Sequence, residues 1–248
     1  MTPHALGGLV AATPAIPEPH ITAHVAGMTI YVDDIISTVV AGAIVIALGF
    51  LVRARVTSGV PGRLQLAFET VVEWVSGQVE SSMGEGGRPI VPLAVTLFFF
   101  ILIANWLEML PTGHDPQYLP APTGDINFVA AMAVFVIVLV HATWIRKQGL
   151  RHYLGHYTRP YTALLPINVL EELVKPVTLT LRLFGNIFAG GVLLVLIAAL
   201  FPARFIVPIP VADVVWKAFD GLFVGPVQAF IFTLLTILYF QSAIAGEH

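Results

Sequence analysis

The chain has 248 residues, of which 57% are hydrophobic and 11% charged, and its mean hydropathy is +0.86. Soluble domains carry roughly 25% charged residues, so this chain has too little polar surface to cover a soluble globule of its size. It contains no cysteine, which excludes disulfides, iron–sulfur clusters and thiolate zinc sites. Its net charge of −3 gives no general attraction to nucleic acid. The composition predicts an integral membrane protein, for which we expect neither a metal ion nor a cofactor.

The first thirty residues are rich in proline, glycine and histidine but contain no lysine or arginine. A secretory signal peptide needs positive charge before its apolar segment. We therefore expect residues 1–30 to form a loosely structured leader that faces outside and stays on the mature protein. Residues 31–248 are then a single helical membrane domain.

Five uncharged runs of 18 to 26 residues divide the rest of the chain: Ile35–Val52, Pro89–Leu107, Ile126–Ile145, Leu183–Ala203 and Gly221–Gly246. A helix needs about 20 apolar residues to cross the hydrocarbon core of a bilayer. None of the runs alternates polar with apolar residues, as the strands of a membrane barrel would. The runs predict an all-α fold with five transmembrane helices.

The segments between the runs differ in the sign of their charged residues. Bases follow the first and third runs, at Arg53, Arg55, Arg146 and Lys147, whereas Glu108 to Asp125 holds three acidic residues and no lysine or arginine. Cytoplasmic loops carry the excess of lysine and arginine in membrane proteins. We therefore expect the N-terminus outside and, after five crossings, the C-terminus in the cytoplasm.

The segment Arg63–Glu80, between the first two runs, has an amphipathic pattern. Apolar residues recur on one side at helical spacing (Leu64, Phe68, Val71, Val72, Val75 and Val79), and polar residues occupy the other (Gln65, Glu69, Glu73 and Glu80). This pattern predicts a helix that lies along the membrane surface. A docking helix for a neighbouring subunit fits the pattern equally well.

Polar residues extend the last two runs backwards, so the predicted helices are longer than the membrane is thick. As single helices, Ile167–Phe201 and Val211–Gly246 would measure ~52 Å and ~54 Å, against an apolar slab of ~30 Å. Either they break near Pro176 and Pro226, or they form a hairpin of two long, strongly tilted helices. We favour the tilted hairpin.

Arg182 is the most informative single residue, because no acidic residue lies within nine positions of it and the sequence around it is apolar. An arginine inside the membrane costs ~2.5–3.5 kcal/mol and normally faces a cavity or a partner. Asn186 follows one turn later on the same face, and Gly185 and Ala189 would let another helix approach. The alternative is an arginine that snorkels to the interface from a helix end.

Other polar residues lie towards the ends of the runs. Asn105, Glu108, Asp125 and Asn127 fit either a polar funnel from the outside or a solvated loop with helix caps. Glu171 and Glu172 could conduct protons or pair locally with Lys175.

Two further polar side chains lie inside the runs. His141 lies in the middle of the third run, where we expect a neutral ring without a partner. Gln228 lies in the last run and is of the type that donates interhelical hydrogen bonds.

The segment from Lys175 to Asn186, KPVTLTLRLFGN, followed by Ala189-Gly190, resembles the signature of subunit a of F-type ATP synthases. Residues 228–236, QAFIFTLLT, resemble the last helix of that family, and Asn105-x-x-Glu108-x-x-Pro111 resembles its inlet region. The resemblance spans residues 33–248 and is most specific in the last eighty.

The resemblance implies a stator subunit with two offset aqueous half-channels, separated by an essential arginine, beside a rotating ring of c subunits. Arg182 takes the place of that arginine, Asn186 and Gln228 match its polar neighbours, and Asn105, Glu108, Asp125 and Asn127 match inlet residues. It further implies b-type peripheral stalk subunits, the rest of the ATP synthase and the plasma membrane of a bacterium as its surroundings. Such a subunit is catalytic only as part of the whole complex.

Two departures from the family pattern leave the inlet relay open. Many relatives carry a glutamate where this chain has Gly191, and some carry a histidine near Asp220-Gly221. Asp220 could supply the inlet carboxylate instead. The competing function is a secondary transporter that binds an anionic substrate at Arg182, although the inverted repeats expected of that class are not visible.

Overall fold

The computed structural model describes residues 22–25, 28–57, 59–108, 122–157, 165–200, 214–215 and 218–245. A hairpin of β1 (Thr22–Val25) and β2 (Met28–Tyr31) leads into helices α1 (Val32–Arg55), α2 (Arg63–Met83), α3 (Val91–Glu108), α4 (Ile126–Gln148), α5 (Leu150–Tyr157), α6 (Leu165–Leu200) and α7 (Gly225–Ala245). Short 3-10 helices span Gly84–Ile90 and Pro122–Gly124, and a π-helical turn, Asp220–Val224, precedes α7.

Four helical segments among the described residues are long and apolar enough to cross a membrane: Val32–Arg55, Arg63–Leu107, Ile126–Gln148 and Asp220–Ile244. They contain the first, second, third and most of the fifth predicted runs, so the helical class and four of the five helices are confirmed. The remaining run, Leu183–Ala203, lies largely in α6, which has 36 residues. Its crossing of the membrane stays a prediction.

The hairpin corrects the end of the predicted leader. Strands β1 and β2 pair antiparallel, with Thr22 opposite Tyr31 and Val25 opposite Met28. The β-branched residues Thr22, Val25 and Thr29 favour extended backbone, which explains the pairing. Residues 1–21 lie outside the described residues.

The amphipathic segment forms helix α2, three residues longer than predicted. It ends at Gly84, whose φ of +61° suits a residue without a Cβ atom. Val75 and Val79 are fully buried in one cluster with Ala94 and Val95 of α3 and Ile237 of α7. Its apolar side is therefore covered in part by the chain itself, and its place along the membrane surface stays a prediction.

Gln65, which we predicted on the polar side of this helix, is instead buried. The backbone N–H of Thr57 donates to its Oε1 (3.3 Å), and its Nε2 donates to the carbonyl of Thr57 (3.2 Å) and to Glu69 Oε1 (2.7 Å). The side chain thus fixes the connection between α1 and α2. Helical periodicity could not predict this, because it does not say which loop folds over a polar face.

The two prolines of the last helices have different effects. Helix α6 continues through Pro176, where Thr180 Oγ1 donates to the carbonyl of Pro176 at 2.8 Å. Pro226 is the second residue of α7 and follows the π-helical turn, where the helix is locally wider. The proposed break is therefore wrong at Pro176, and the strong tilt of the hairpin stays a prediction.

The main core joins helices α3, α4, α6 and α7. Ile101 of α3, Val136 of α4, Leu183 of α6 and Phe232 of α7 are buried in one apolar cluster. Helix α6 packs mainly on α4, through Leu179 and Leu183. This packing leaves the other side of α6 open.

Candidate functional site

Contacts between the ends of different helices define two ends of the bundle, called here the basic end and the acidic end. At the basic end, Lys147 Nζ donates to the carbonyl of Gly86 (3.0 Å) and Gln148 Nε2 donates to the carbonyl of Ala243 (3.3 Å). The C-terminal ends of α4 and α7 therefore meet the junction of α2 and α3. At the acidic end, Asp34 of α1 and Asp125 line one pocket, so the starts of α1 and α4 lie together.

A group of polar side chains at the acidic end, the Asn105 cluster, consists of Asn105, Trp106, Thr123 and Asp220. Thr123 Oγ1 donates to Asn105 Oδ1 (2.7 Å), and Asn105 Nδ2 lies 3.5 Å from the carbonyl of Gly225. Trp106 Nε1 donates to the carbonyl of Gly221 (2.8 Å). Asp220, in the adjacent π-helical turn, is only 9% exposed. The cluster thus ties α3 to the start of α7.

Gly225 allows this close approach. A Cβ atom there would lie 3.2 Å from Asn105 Cβ, closer than most side-chain contacts in proteins. The structure thus brings together Asn105 and Asp220, two of the predicted inlet residues. Thr123, another polar residue of this segment, supplies the hydrogen bond to Asn105, a contact that the sequence could not predict because a threonine in a loop has no signature of its own.

The other predicted inlet residues are not among the members of the Asn105 cluster. Asp125 is the N-cap of α4, and its Oδ1 accepts from the backbone N–H and the Nδ2 of Asn127, at 2.8 Å and 3.0 Å. This is the helix-cap interpretation that the sequence left open. Glu108 ends α3, and its side chain lies outside the described ones.

Arg182 lies on the open side of α6. Its neighbours one turn or less away, Leu179 and Leu183, are fully buried, whereas Arg182 itself is exposed. Gln228 Nε2 donates to the backbone carbonyl of Arg182 at 2.9 Å, and Gln228 is only 5% exposed. The glutamine therefore holds the backbone of α6 against α7 at this residue. Asn186 continues the helix one turn later, and its side chain lies outside the described ones.

The surface around Arg182 is apolar and open. Large hydrophobic residues of α6 are exposed both before and after it: Leu170, Leu173, Val174, Val177, Leu181, Phe188, Val192 and Leu196. Among the described residues, no atom lies within 4 Å of where a Cβ atom of Gly185 would stand. Inside a membrane, a cation on such a surface normally faces a water-filled cavity or a partner that carries a complementary group, because contact with lipid is costly.

A second polar group, the His141 cluster, lies towards the basic end and consists of His141, Tyr153, Glu172 and Lys175. Lys175 Nζ pairs with Glu172 Oε1, and Glu172 Oε2 lies 3.7 Å from His141 Nε2. The hydroxyl of Tyr153 lies 3.4 Å from His141 Nδ1. The expectation of a partnerless His141 is therefore wrong.

The two adjacent glutamates of α6 differ. Glu172 points to the packed side, where its side chain is 14% exposed, and Glu171 is exposed on the open side. Across the described ranges, no three histidine, aspartate or glutamate side chains come close enough to hold a metal ion.

Residues 35–241, which include both clusters and Arg182, match the family model described as ATP synthase A chain. The chain belongs to the ATP synthase subunit a family. Its similarity to ATP synthase subunit a of Mycobacterium bovis is 50% identity over 240 residues, covering 92% of this chain and 93% of the relative.

Two other members of the family are similar over nearly the same length. ATP synthase subunit a of Acidothermus cellulolyticus is 49% identical over 231 residues, covering 92% of this chain and 83% of the relative. That of Desulforamulus reducens is 35% identical over 226 residues, covering 90% and 84%. The resemblance drawn from the KPVTLTLRLFGN segment is confirmed, and this subunit a is a multi-pass membrane protein.

Proposed function

We propose that the chain is the proton-translocating stator subunit of an F-type ATP synthase, with two offset half-channels separated by Arg182. One observation carries this proposal. Arg182 is exposed on the open, largely apolar side of α6, between the Asn105 cluster at one end of the bundle and the His141 cluster at the other. Its position suits a cation that faces a moving partner rather than lipid.

The chemistry requires a cation that keeps its charge. Guanidinium stays protonated where a desolvated lysine could lose its proton. A carboxylate of a c subunit that passes Arg182 is held ionised, having released its proton to the outlet, and it is protonated again from the inlet. Each charge that crosses is worth ~2.3 kcal/mol per 100 mV, so a leak past Arg182 would dissipate the driving force.

We assign the inlet half-channel to the Asn105 cluster, where polar groups and a buried carboxyl group lie together. Asp220 is a carboxyl group in an otherwise neutral, hydrogen-bonded environment, and Asn105 and Thr123 supply amide and hydroxyl groups that can orient water. Glu108, one turn after Asn105, is the second proposed carboxylate of this path. Asp125 and Asn127 would lie at its mouth.

The outlet half-channel is best supported along the open side of α6. Glu171 precedes Arg182 by three helical turns, ~16 Å along the axis, and is exposed. Thr178 lies between them and is also exposed. We assign Glu171, rather than Glu172, to the lining of this path.

The open apolar face of α6 is the proposed contact with the c ring, and Gly185 leaves room for a ring helix. By family membership, the peripheral stalk b-type subunits and the rest of the ATP synthase are the other proposed partners. The acidic end then faces outside and the basic end faces the cytoplasm of a bacterium, by the positive-inside rule.

The test is ATP synthesis driven by a proton gradient in vesicles that contain the whole complex. Arg182→Ala is expected to abolish synthesis and to let protons leak passively, while the soluble head still hydrolyses ATP. Arg182→Lys is expected to be severely impaired. Arg88→Ala is the matched control, because Arg88 is an exposed arginine whose partner is the exposed Glu85 (3.5 Å). Near-normal synthesis by Arg182→Ala would end the proposal and favour the transporter alternative.

A further inference from the structure

We propose that Glu172 is a positioning residue, whose charge holds the Lys175 ammonium away from the open face of α6 and so keeps the outlet free of a second cation. The inference rests on the proposed function and assigns to Glu172 a task other than carrying protons. The inference follows from the direction in which each side chain projects from α6 and from the contacts of Glu172 and Lys175.

Successive residues of an α-helix are turned by ~100°, which fixes the direction of each side chain relative to Arg182. By this measure Glu171 and Lys175 lie within ~20° of Arg182, and Glu172 lies ~80° away. Lys175 therefore starts from the same face as Arg182, about 10 Å along the axis, whereas Glu172 starts from the packed side.

The ammonium group of Lys175 does not project from the open side of α6. Its Nζ pairs with Glu172 Oε1 and lies 5.8 Å from the ring centroid of Tyr239 of α7. Its side chain is only 27% exposed, whereas Arg182 is exposed. The ion pair and the ring together draw the ammonium towards α4 and α7.

Glu172 is itself fixed from a neighbouring helix. Its second oxygen, Oε2, lies 3.7 Å from His141 Nε2, and the other nitrogen of His141 lies 3.4 Å from the hydroxyl of Tyr153. Both oxygens of the carboxylate are thus engaged with groups other than the open face.

Loss of the negative charge would release the ammonium. A lysine that is three-quarters buried without a counter-ion would extend towards water, which in the complex is available along the outlet. An ammonium about 10 Å along the axis from Arg182 disfavours a proton at Arg182 by roughly tenfold, at an effective dielectric constant of ~20.

The experiment compares three variants of the whole complex in vesicles: Glu172→Gln, Lys175→Gln and the double variant. The readout is the rate of gradient-driven ATP synthesis, with the amount of assembled complex as the normalisation. Glu172→Gln is expected to slow synthesis roughly tenfold. Lys175→Gln is expected to remain within about twofold of the unmodified complex, and the double variant is expected to regain that rate, because it has no ammonium to release.

A double variant as slow as Glu172→Gln would overturn the proposal. If Glu172 were a proton carrier or a purely structural residue, removing the ammonium of Lys175 would not restore the rate. A slow Lys175→Gln would also overturn it. If Glu172→Gln alone fails to assemble, recovery of assembly in the double variant supports the proposal, and its absence contradicts it. The proposed function fails separately, at Arg182→Ala, and none of these three variants changes that residue.

Discussion

The two polar groups on either side of Arg182 are built in different ways. The hydrogen bonds of the Asn105 cluster join neutral groups that are 18, 115 and 120 residues apart in sequence, and both Asn105 and the carboxyl-bearing Asp220 are less than a tenth exposed. The His141 cluster uses charged and titratable groups, among them the ion pair of Lys175 with Glu172, and the side chains of His141, Glu172 and Lys175 are 14–27% exposed. One group is part of the folded core of the chain, and the other borders the face that a partner must cover.

This difference suggests how the chain divides its tasks. Neutral hydrogen bonds to backbone carbonyls fix helix positions and do not change with the charge of a passing group. Charged groups near an open face respond to their surroundings, because their interaction energies depend on the local dielectric. The hydrogen bonds of the Asn105 cluster are therefore expected to depend on the shape of the side chains that make them. The His141 cluster is expected to depend on the charges of its side chains.

The largest expected effect concerns which side of the membrane each end faces. The chain has no cysteine, so single cysteines at Val60, Gln117 and Arg151 report without background. Val60 is 94% exposed and Arg151 is also exposed. An impermeant thiol reagent is expected to label Gln117→Cys only from the outside, and Val60→Cys and Arg151→Cys only from the cytoplasm. Labelling of all three from one side would contradict the assignment of the two ends.

The second effect is on proton flux at the acidic end. Asp220→Asn keeps the size of the side chain but removes its ability to carry a proton, so passive proton conduction is expected to fall at least tenfold, within the range of losses seen for proton-transfer groups. Glu108→Gln is expected to have a smaller effect of the same sign. Glu85→Gln is the control, because Glu85 is an exposed carboxylate at the basic end of the bundle, away from the proposed inlet. Wild-type conduction by both carboxylate variants, alone and combined, would remove these residues from the inlet.

Much of the fold could be predicted, because the uncharged length of a run decides whether its helix can cross a membrane. The β hairpin was missed, since two strands of four residues give too short a pattern beside long helical ones. The same limit applies to side-chain partners. Periodicity gave the direction of Gln65 but not the loop that covers it.

The site divides along similar lines. Arg182 was predictable from the cost of burying charge, and Gln228 from its place in the last run and from the family resemblance. The hydrogen bond of Thr123 to Asn105 and the partners of His141 were not predictable, because each depends on a contact between different helices or loops. Two adjacent glutamates look equivalent in a sequence, and only the packing of α6 on α4 separates Glu171 from Glu172.

A third effect tests the rigidity of the Asn105 cluster. Asn105→Leu preserves volume but leaves the buried Thr123 hydroxyl without its acceptor, which is expected to cost about 1–3 kcal/mol. Thr96→Val is the matched control, because the Thr96 hydroxyl is exposed and donates only to the carbonyl of Pro92 in its own helix, at 2.7 Å. The measurement is the midpoint temperature at which subunit a is lost from the purified complex. Equal midpoints for both variants would mean that the cluster is not a rigid element.

The smallest expected effect comes from Tyr153→Phe in the His141 cluster. The variant removes one hydroxyl at a partly exposed contact of 3.4 Å but keeps the edge-to-face contacts of the ring with His141 and Trp144. A long hydrogen bond with access to water contributes little to stability. The midpoint temperature should therefore fall only slightly, by an amount equivalent to about 0.5 kcal/mol of stability or less. Gradient-driven synthesis should also be unchanged, because the charge balance of Glu172 and Lys175 is untouched. A loss as large as that of Asn105→Leu would mean that the His141 cluster, too, depends on shape, and the contrast between the two ends would not hold.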